Sequence, residues 1–126
     1  ITNLRIMERK VILSILRNLK VVRFEENAKY GFLGNLFYED YVFGVYLFED
    51  SVCQYICLEY IVNNVSDIED SLKSIEERVI AGKYIVKGTD IILQTFFPVL
   101  FEETFFERQV NNSMSVLQRM IHICRH

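Results

Sequence analysis

Few residues in this chain have the type and spacing for chemistry, and geometry argues against most of them. Cys53 and Cys57 are separated by three residues inside a run rich in aromatic and β-branched side chains. On a strand, positions four apart share a face but lie roughly 13 Å from each other. A disulfide needs Cα atoms within about 7 Å, and zinc ligands must converge on one ion at about 2.3 Å. The pair therefore reads as structural thiols. His122 and His126 lie four apart on a C-terminal helical pattern. The glutamate of a His-Glu-x-x-His zinc site is missing, and imidazole beside Arg125 suits the negative end of a helix dipole.

Neighbouring carboxylates occur at Glu25-Glu26, Glu39-Asp40, Glu49-Asp50, Glu76-Glu77 and Glu102-Glu103. Adjacency in turns and on outer helix faces leaves such groups in water, whereas a glycosidase pair must face across a cleft. No serine-nucleophile motif, phosphate-cradling loop or dinucleotide fingerprint occurs, and Gly31-x-x-Gly34 is two glycines in a strand. With histidine only near the C-terminal end, a His-based triad is not supported. The expectation is a non-enzymatic protein with no metal and no cofactor.

The stretch that organises the rest is Tyr30 to Tyr60. Two acidic breaks, Glu39-Asp40 and Glu49-Asp50-Ser51, divide it into three runs that read as an antiparallel meander. Two-residue hairpin loops would set Leu36 against Phe43, Gly34 against Val45 and Phe32 against Leu47. In the second hairpin they would set Leu47 against Gln54, Val45 against Ile56 and Phe43 against Leu58. A four-residue loop keeps the same parity; a three-residue loop would flip a strand. One face then holds Phe32, Leu36, Tyr38, Tyr41, Phe43, Val45, Leu47, Ile56, Leu58 and Tyr60, broken by Gly34 and Gln54. The reverse face holds Leu33, Asn35, Phe37, Val42, Gly44, Tyr46, Phe48, Cys53, Tyr55, Cys57 and Glu59. A solvated face would alternate to polar residues. The rings of Phe37, Tyr46, Phe48 and Tyr55 make this one a candidate binding surface, unless the chain's own helix covers it.

Before the meander, Thr2 or Asn3 can cap a helix running to Leu19, with Leu4, Met7, Val11, Ile12, Ile15, Leu16 and Leu19 as its stripe. Val21 to Glu25 reads as a short strand and residues 26–29 as a polar connection. After the meander, Ser66-Asp67-Ile68-Glu69 reads as a capping box. The helix that follows buries Val65, Ile68, Leu72, Ile75, Val79 and Ile80, with Gly82 as its left-handed C-terminal residue. Lys83–Lys87, a Gly88-Thr89 turn and Asp90–Phe97 form a hairpin with Ile91, Leu93, Thr95 and Phe97 on one face; Pro98 ends it. Thr104-Phe105-Phe106-Glu107 reads as a second capping box. Phe106, Val110, Met114, Leu117, Ile121 and Cys124 then mark one amphipathic helix, with helix-poor Asn111-Asn112-Ser113 inside it.

A chain of 126 residues that is 51% hydrophobic and 25% charged is one globular domain, not a disordered segment. It has no apolar run long enough for a transmembrane helix. Arg5, Glu8, Arg9 and Lys10 deny the first turns a signal peptide's apolar core, and three cysteines suit a reducing, cytoplasmic setting. Residues 1–29 carry net +4 and the remainder net −7, within a total of −3. The basic residues are spread around one helix, and the acidic remainder would repel phosphates, so nucleic acid is not an expected partner.

The expected fold class is α+β, in the order helix, three-stranded meander, helix, hairpin, helix. Ala81-Gly82-Lys83-Tyr84-Ile85-Val86, then Asp90-Ile91-Ile92-Leu93, Phe97-Pro98 and the terminal helix, occupy this order. In this arrangement the chain resembles the type III secretion chaperone-like fold, including the YbjN-like bacterial sensory-transduction regulators. The resemblance implies a non-enzymatic, often homodimeric binding protein of chaperone or adaptor type. The functional expectation is a protein-binding module that engages a partner segment, a second copy, or both. The alternative is a small-ligand-binding sensory domain whose pocket the aromatic face would line.

Overall fold

Apolar residues recur at a period of two in one half of the chain and near 3.6 in the rest, and the elements follow these periods. The computed structural model describes residues 7–19, 23–99 and 102–125. The elements are α1 (Arg9–Asn18), β1 (Arg23–Lys29), β2 (Phe32–Tyr38), β3 (Tyr41–Glu49), β4 (Gln54–Val62), α2 (Ile68–Arg78), β5 (Gly82–Lys87), β6 (Asp90–Pro98) and α3 (Glu103–Arg125). The class is α+β: the described residues form three helices and one antiparallel sheet in the order β1-β2-β3-β4-β6-β5.

One feature corrects the expected three-stranded meander. Residues 26–29 are strand, not connection, so β1 runs to Lys29 and makes the meander four-stranded. The hairpin also joins this sheet, because β6 pairs with β4 from Tyr55–Pro98 to Val62–Ile91. Val21 and Val22 lie outside the described residues.

Register explains which face each ring takes. The β2–β3 loop has two residues, and Leu36 faces Phe43 as expected. The β3–β4 loop has four, so Leu47 meets Ile56 and Val45 meets Leu58; parity is kept and register moves by two. Asp50 holds this loop, its carboxylate accepting from the Val52 and Cys53 N–H groups at 2.7 and 2.6 Å. Those two bonds, Cys53 first, hold its carboxyl below the usual range. An irregularity between Phe32 and Gly34 sets Phe32 against Tyr46 instead of Leu47. This bulge turns Phe32 to the reverse face and Leu33 into the core, the opposite of the two-residue alternation. Gly34 is needed there, because a Cβ would run into the Glu25 carbonyl oxygen.

One core forms on the front of the sheet. Leu33, Leu36, Phe43, Val45, Ile56, Leu58, Ile91, Leu93 and Phe97 meet Ile12 and Leu16 of α1, Ile75 of α2, and Phe106, Val110, Met114, Leu117 and Ile121 of α3. α3 lies across β6, β4 and β5, α2 packs on α3, and α1 packs beside β1. α3 is continuous through Asn111-Asn112-Ser113, with Ser113 turned inward.

Helix ends depart from expectation. Asp67, not Ser66, caps α2 by accepting from Asp70 N–H at 3.1 Å. Glu102, not Thr104, caps α3, accepting from Thr104 and Phe105 N–H at 3.0 and 2.9 Å. α2 stops at Arg78; Val79 is extended, and Ile80 is fully exposed rather than part of the stripe. Gly82 is not left-handed. It lies at the start of β5, where a Cβ would collide with Met120 of α3. In α1, Leu13 is buried while Val11 is exposed, and Thr2, Asn3 and Leu4 lie outside the described residues.

Gln54, the polar break in the core face, ties the N-terminal segment down. Its side-chain oxygen accepts from Met7 N–H at 2.7 Å, and its amide nitrogen donates to Met7 C=O at 2.9 Å and to Glu49 at 2.8 Å. Replacing it by leucine strands two buried backbone groups, so Gln54→Leu is expected to cost about 2–3 kcal/mol in urea unfolding. A loss below about 0.5 kcal/mol would mean that Met7 is not anchored this way.

Candidate functional site

The reverse face of the sheet is the candidate site, because the front face is occupied by the three helices. Cross-strand register arranges it in rows. Phe32, Tyr46, Cys57 and Phe96 form one row. Asn35, Gly44, Glu59, Gln94 and Lys83 form the next. Beyond it lie Ile61, Ile92 and Ile85, with Val42 continuing that line from β3. On the other side Phe48 faces Tyr55, which faces Pro98. A polar seam thus runs across the strands between apolar rows.

These rows are not part of the core. Phe48 and Ile61 are each 47% exposed, Val42 46%, Ile85 45% and Tyr55 36%. Cys57 and Ile92 are buried, yet neither belongs to the front-face cluster. Their neighbours on the same face enclose them. The rings touch in series: Phe32–Tyr46 at 5.2 Å, Tyr46–Phe48 at 6.4 Å and Phe48–Phe96 at 5.7 Å between centroids. Lys83 Nζ lies 5.1 Å from the centre of the Phe96 ring. Among the described residues no helix lies over this face.

The seam carries the electrostatics. Gln94 donates to Glu59 at 2.9 Å. Burial, then the Glu59 carboxylate beside it, raises the pKa of Tyr46. Burial likewise pushes the Cys57 thiol up to about 12, with Glu59 adding to the rise and Lys83 opposing it. Gly44 leaves an open hollow of about 420 Å³, lined by Phe32, Asn35, Val42, Tyr46, Glu59, Tyr60 and Ile61. Tyr46 leans over it, 3.0 Å from where a Gly44 Cβ would be.

Of the four rings singled out in the sequence, Tyr46, Phe48 and Tyr55 come together. Phe37 does not. It pairs with Val42, six residues and roughly 20 Å along β3 from Phe48, and it stacks under Arg23 at 4.2 Å. Sequence reasoning missed Phe32, because of the bulge. It also missed Ile61, Ile85, Ile92, Gln94, Phe96 and Lys83. The alternation in the hairpin, with Ile91, Leu93, Thr95 and Phe97 inward, was the available signal: it implies that Ile92, Gln94 and Phe96 face the other way. Cys53 is not on the face at all; it lies in the β3–β4 loop.

Elsewhere, Asp70, Ser74, Arg78, Arg119, His122 and Ile123 line a cleft of about 260 Å³ between α2 and α3. Among the described residues no three His, Cys, Asp or Glu side chains are grouped to hold a metal ion. No described helix is long and apolar enough to cross a membrane. No protein-family model matches the chain, and no curated protein or solved structure matches it either.

The thiols report on this geometry. In native protein an alkylating reagent should label half-exposed Cys53, while Cys57 and Cys124 should react only on unfolding, as read by peptide mass spectrometry. The Cys57 thiol stays protonated in the fold above its ordinary pKa of 9.0, whereas the unfolded thiol ionises there. Its contribution to stability is therefore complete below about pH 9 and declines as pH rises towards 12. Urea midpoints at pH 8 and pH 10 should show that fall; equal midpoints, or native labelling of Cys57, would contradict its burial.

Proposed function

We propose that this chain is a non-enzymatic protein-binding module whose docking surface is the reverse face of the sheet. The observation that carries this is the row of exposed apolar side chains Val42, Ile61 and Ile85, with Phe48 and Tyr55 across the seam, on a face that no described helix covers. A sheet face meeting water alternates to polar residues, and exposed apolar rows on both sides of a single polar seam mark an interaction site. The order of helix, strands, helix, hairpin and helix supports the likeness to the type III secretion chaperone-like and YbjN-like proteins, with β1 as an added strand. Three free thiols support a reducing, cytoplasmic setting. The hollow over Gly44 opens to solvent, whereas a small-ligand site encloses most of its occupant. This favours a protein over a small ligand.

A photocrosslinking benzoylphenylalanine placed at Phe48 in cells should form covalent protein adducts, and the same probe at exposed Ile80 should not. The double variant Phe48→Ser, Tyr55→Ser should melt within about 3 °C of the parent if the rings serve an interface. Adducts no more abundant than at Ile80, or a melting temperature lower by more than about 10 °C, would count against the proposal.

A further inference from the structure

Two identical faces can meet about a two-fold axis in only a few ways, and the charges on this face choose among them. With the axis across the strands and along the polar seam, Glu59 would land on Glu59 of the other copy and Lys83 on Lys83. Shifted off the seam, the same axis would press Glu59 and Lys83 onto apolar rows, burying unpaired charge. An axis parallel to the strands behaves differently. Each row then meets its own copy in reverse order, apolar on apolar and seam on seam.

We propose that the reverse face is occupied by a second copy of this chain, packed face to face about a two-fold axis that runs parallel to the strands between β4 and β6. This rests on the protein-binding reading of that face and names its occupant. In this arrangement β4 faces β6 of the second copy, and β3 faces β5. Lys83 of each copy enters the hollow over Gly44 of the other, beside the Glu59 carboxylate, and Gln94 faces Glu59. Cys57 faces Phe96, so small meets large twice along the patch. The isoleucine row closes on itself, Ile61 over Ile92. Sheets packed this way lie about 10 Å apart with strands within about 30° of each other, which keeps β3, β4, β6 and β5 in line with their counterparts. Four strands and seven residues give a footprint of about 19 Å by 23 Å, or roughly 440 Å² per copy, below the range of stable interfaces and in that of weak, transient ones. The dimer is therefore expected to dissociate on dilution.

Analytical ultracentrifugation of the full chain tests this. The parent should be a dimer that dissociates on dilution. Glu59→Lys and Lys83→Glu should each weaken it by about tenfold or more, and the double exchange E59K/K83E should restore it to within about threefold. A parent that stays monomeric up to near-millimolar concentration overturns the proposal. So does a dimer indifferent to both single changes, or one that the double exchange fails to rescue. A monomer whose Phe48 probe still captures a different protein would overturn the second copy alone and leave the protein-binding reading standing. A monomer with no Phe48 adducts would remove both.

Discussion

Pairing of β4 with β6 is the contact on which the architecture depends. It joins two segments that are each locally plausible, a meander and a hairpin, into one six-stranded sheet. It also brings Leu93 and Ile91 alongside Tyr60 and Val62 on the front, where α3 crosses both strands. On the back it lines up Cys57 with Phe96, Glu59 with Gln94 and Ile61 with Ile92. Without that pairing there would be neither a surface broad enough for α3 to cover nor an aligned reverse face.

Among the described residues, three helices serve one side of a sheet that is apolar on both. α1, α2 and α3 all contribute to the same front-face cluster. Edge strands are managed differently. β1 carries Arg23, Glu25, Glu26 and Lys29, and β5 carries Lys83 and Lys87. Charges along sheet edges oppose edge-to-edge addition of further strands. On the flat of the sheet, Glu59 and Lys83 sit on opposite sides of Gln94 in a single polar line.

Much of the fold was legible in local pattern. Alternation marked the strands and the inward residues Leu36, Phe43, Val45, Ile91, Leu93 and Phe97; the 4-4-3-4-3 spacing marked the buried face of α3. What misled were choices between near-equal local options. Ser66 and Asp67 can both cap α2, and the position of the first turn selects Asp67. Residues 26–29 look like a linker because they are polar. They are strand because β2 offers them backbone partners, a gain that composition does not express. Phe32 and Leu33 exchange faces because one extra residue is accommodated beside Gly34.

The candidate face was legible only in part, for the same reason. Side-chain alternation is a property of each strand alone, so the chain by itself determined that Tyr46 and Phe48 share one side of β3 with Phe43 and Val45 on the other, and that Tyr55 and Ile56 take opposite sides of β4. The parity of the β3–β4 loop then put Tyr55 beside Phe48. Which strands stand next to each other depends on contacts between residues far apart in the chain. Tertiary structure alone could decide that Lys83 and Glu59 share a row. It also decided that all three helices crowd onto the front. Pairing partners and helix placement follow from burial summed over the whole molecule, and no short stretch of sequence contains that sum.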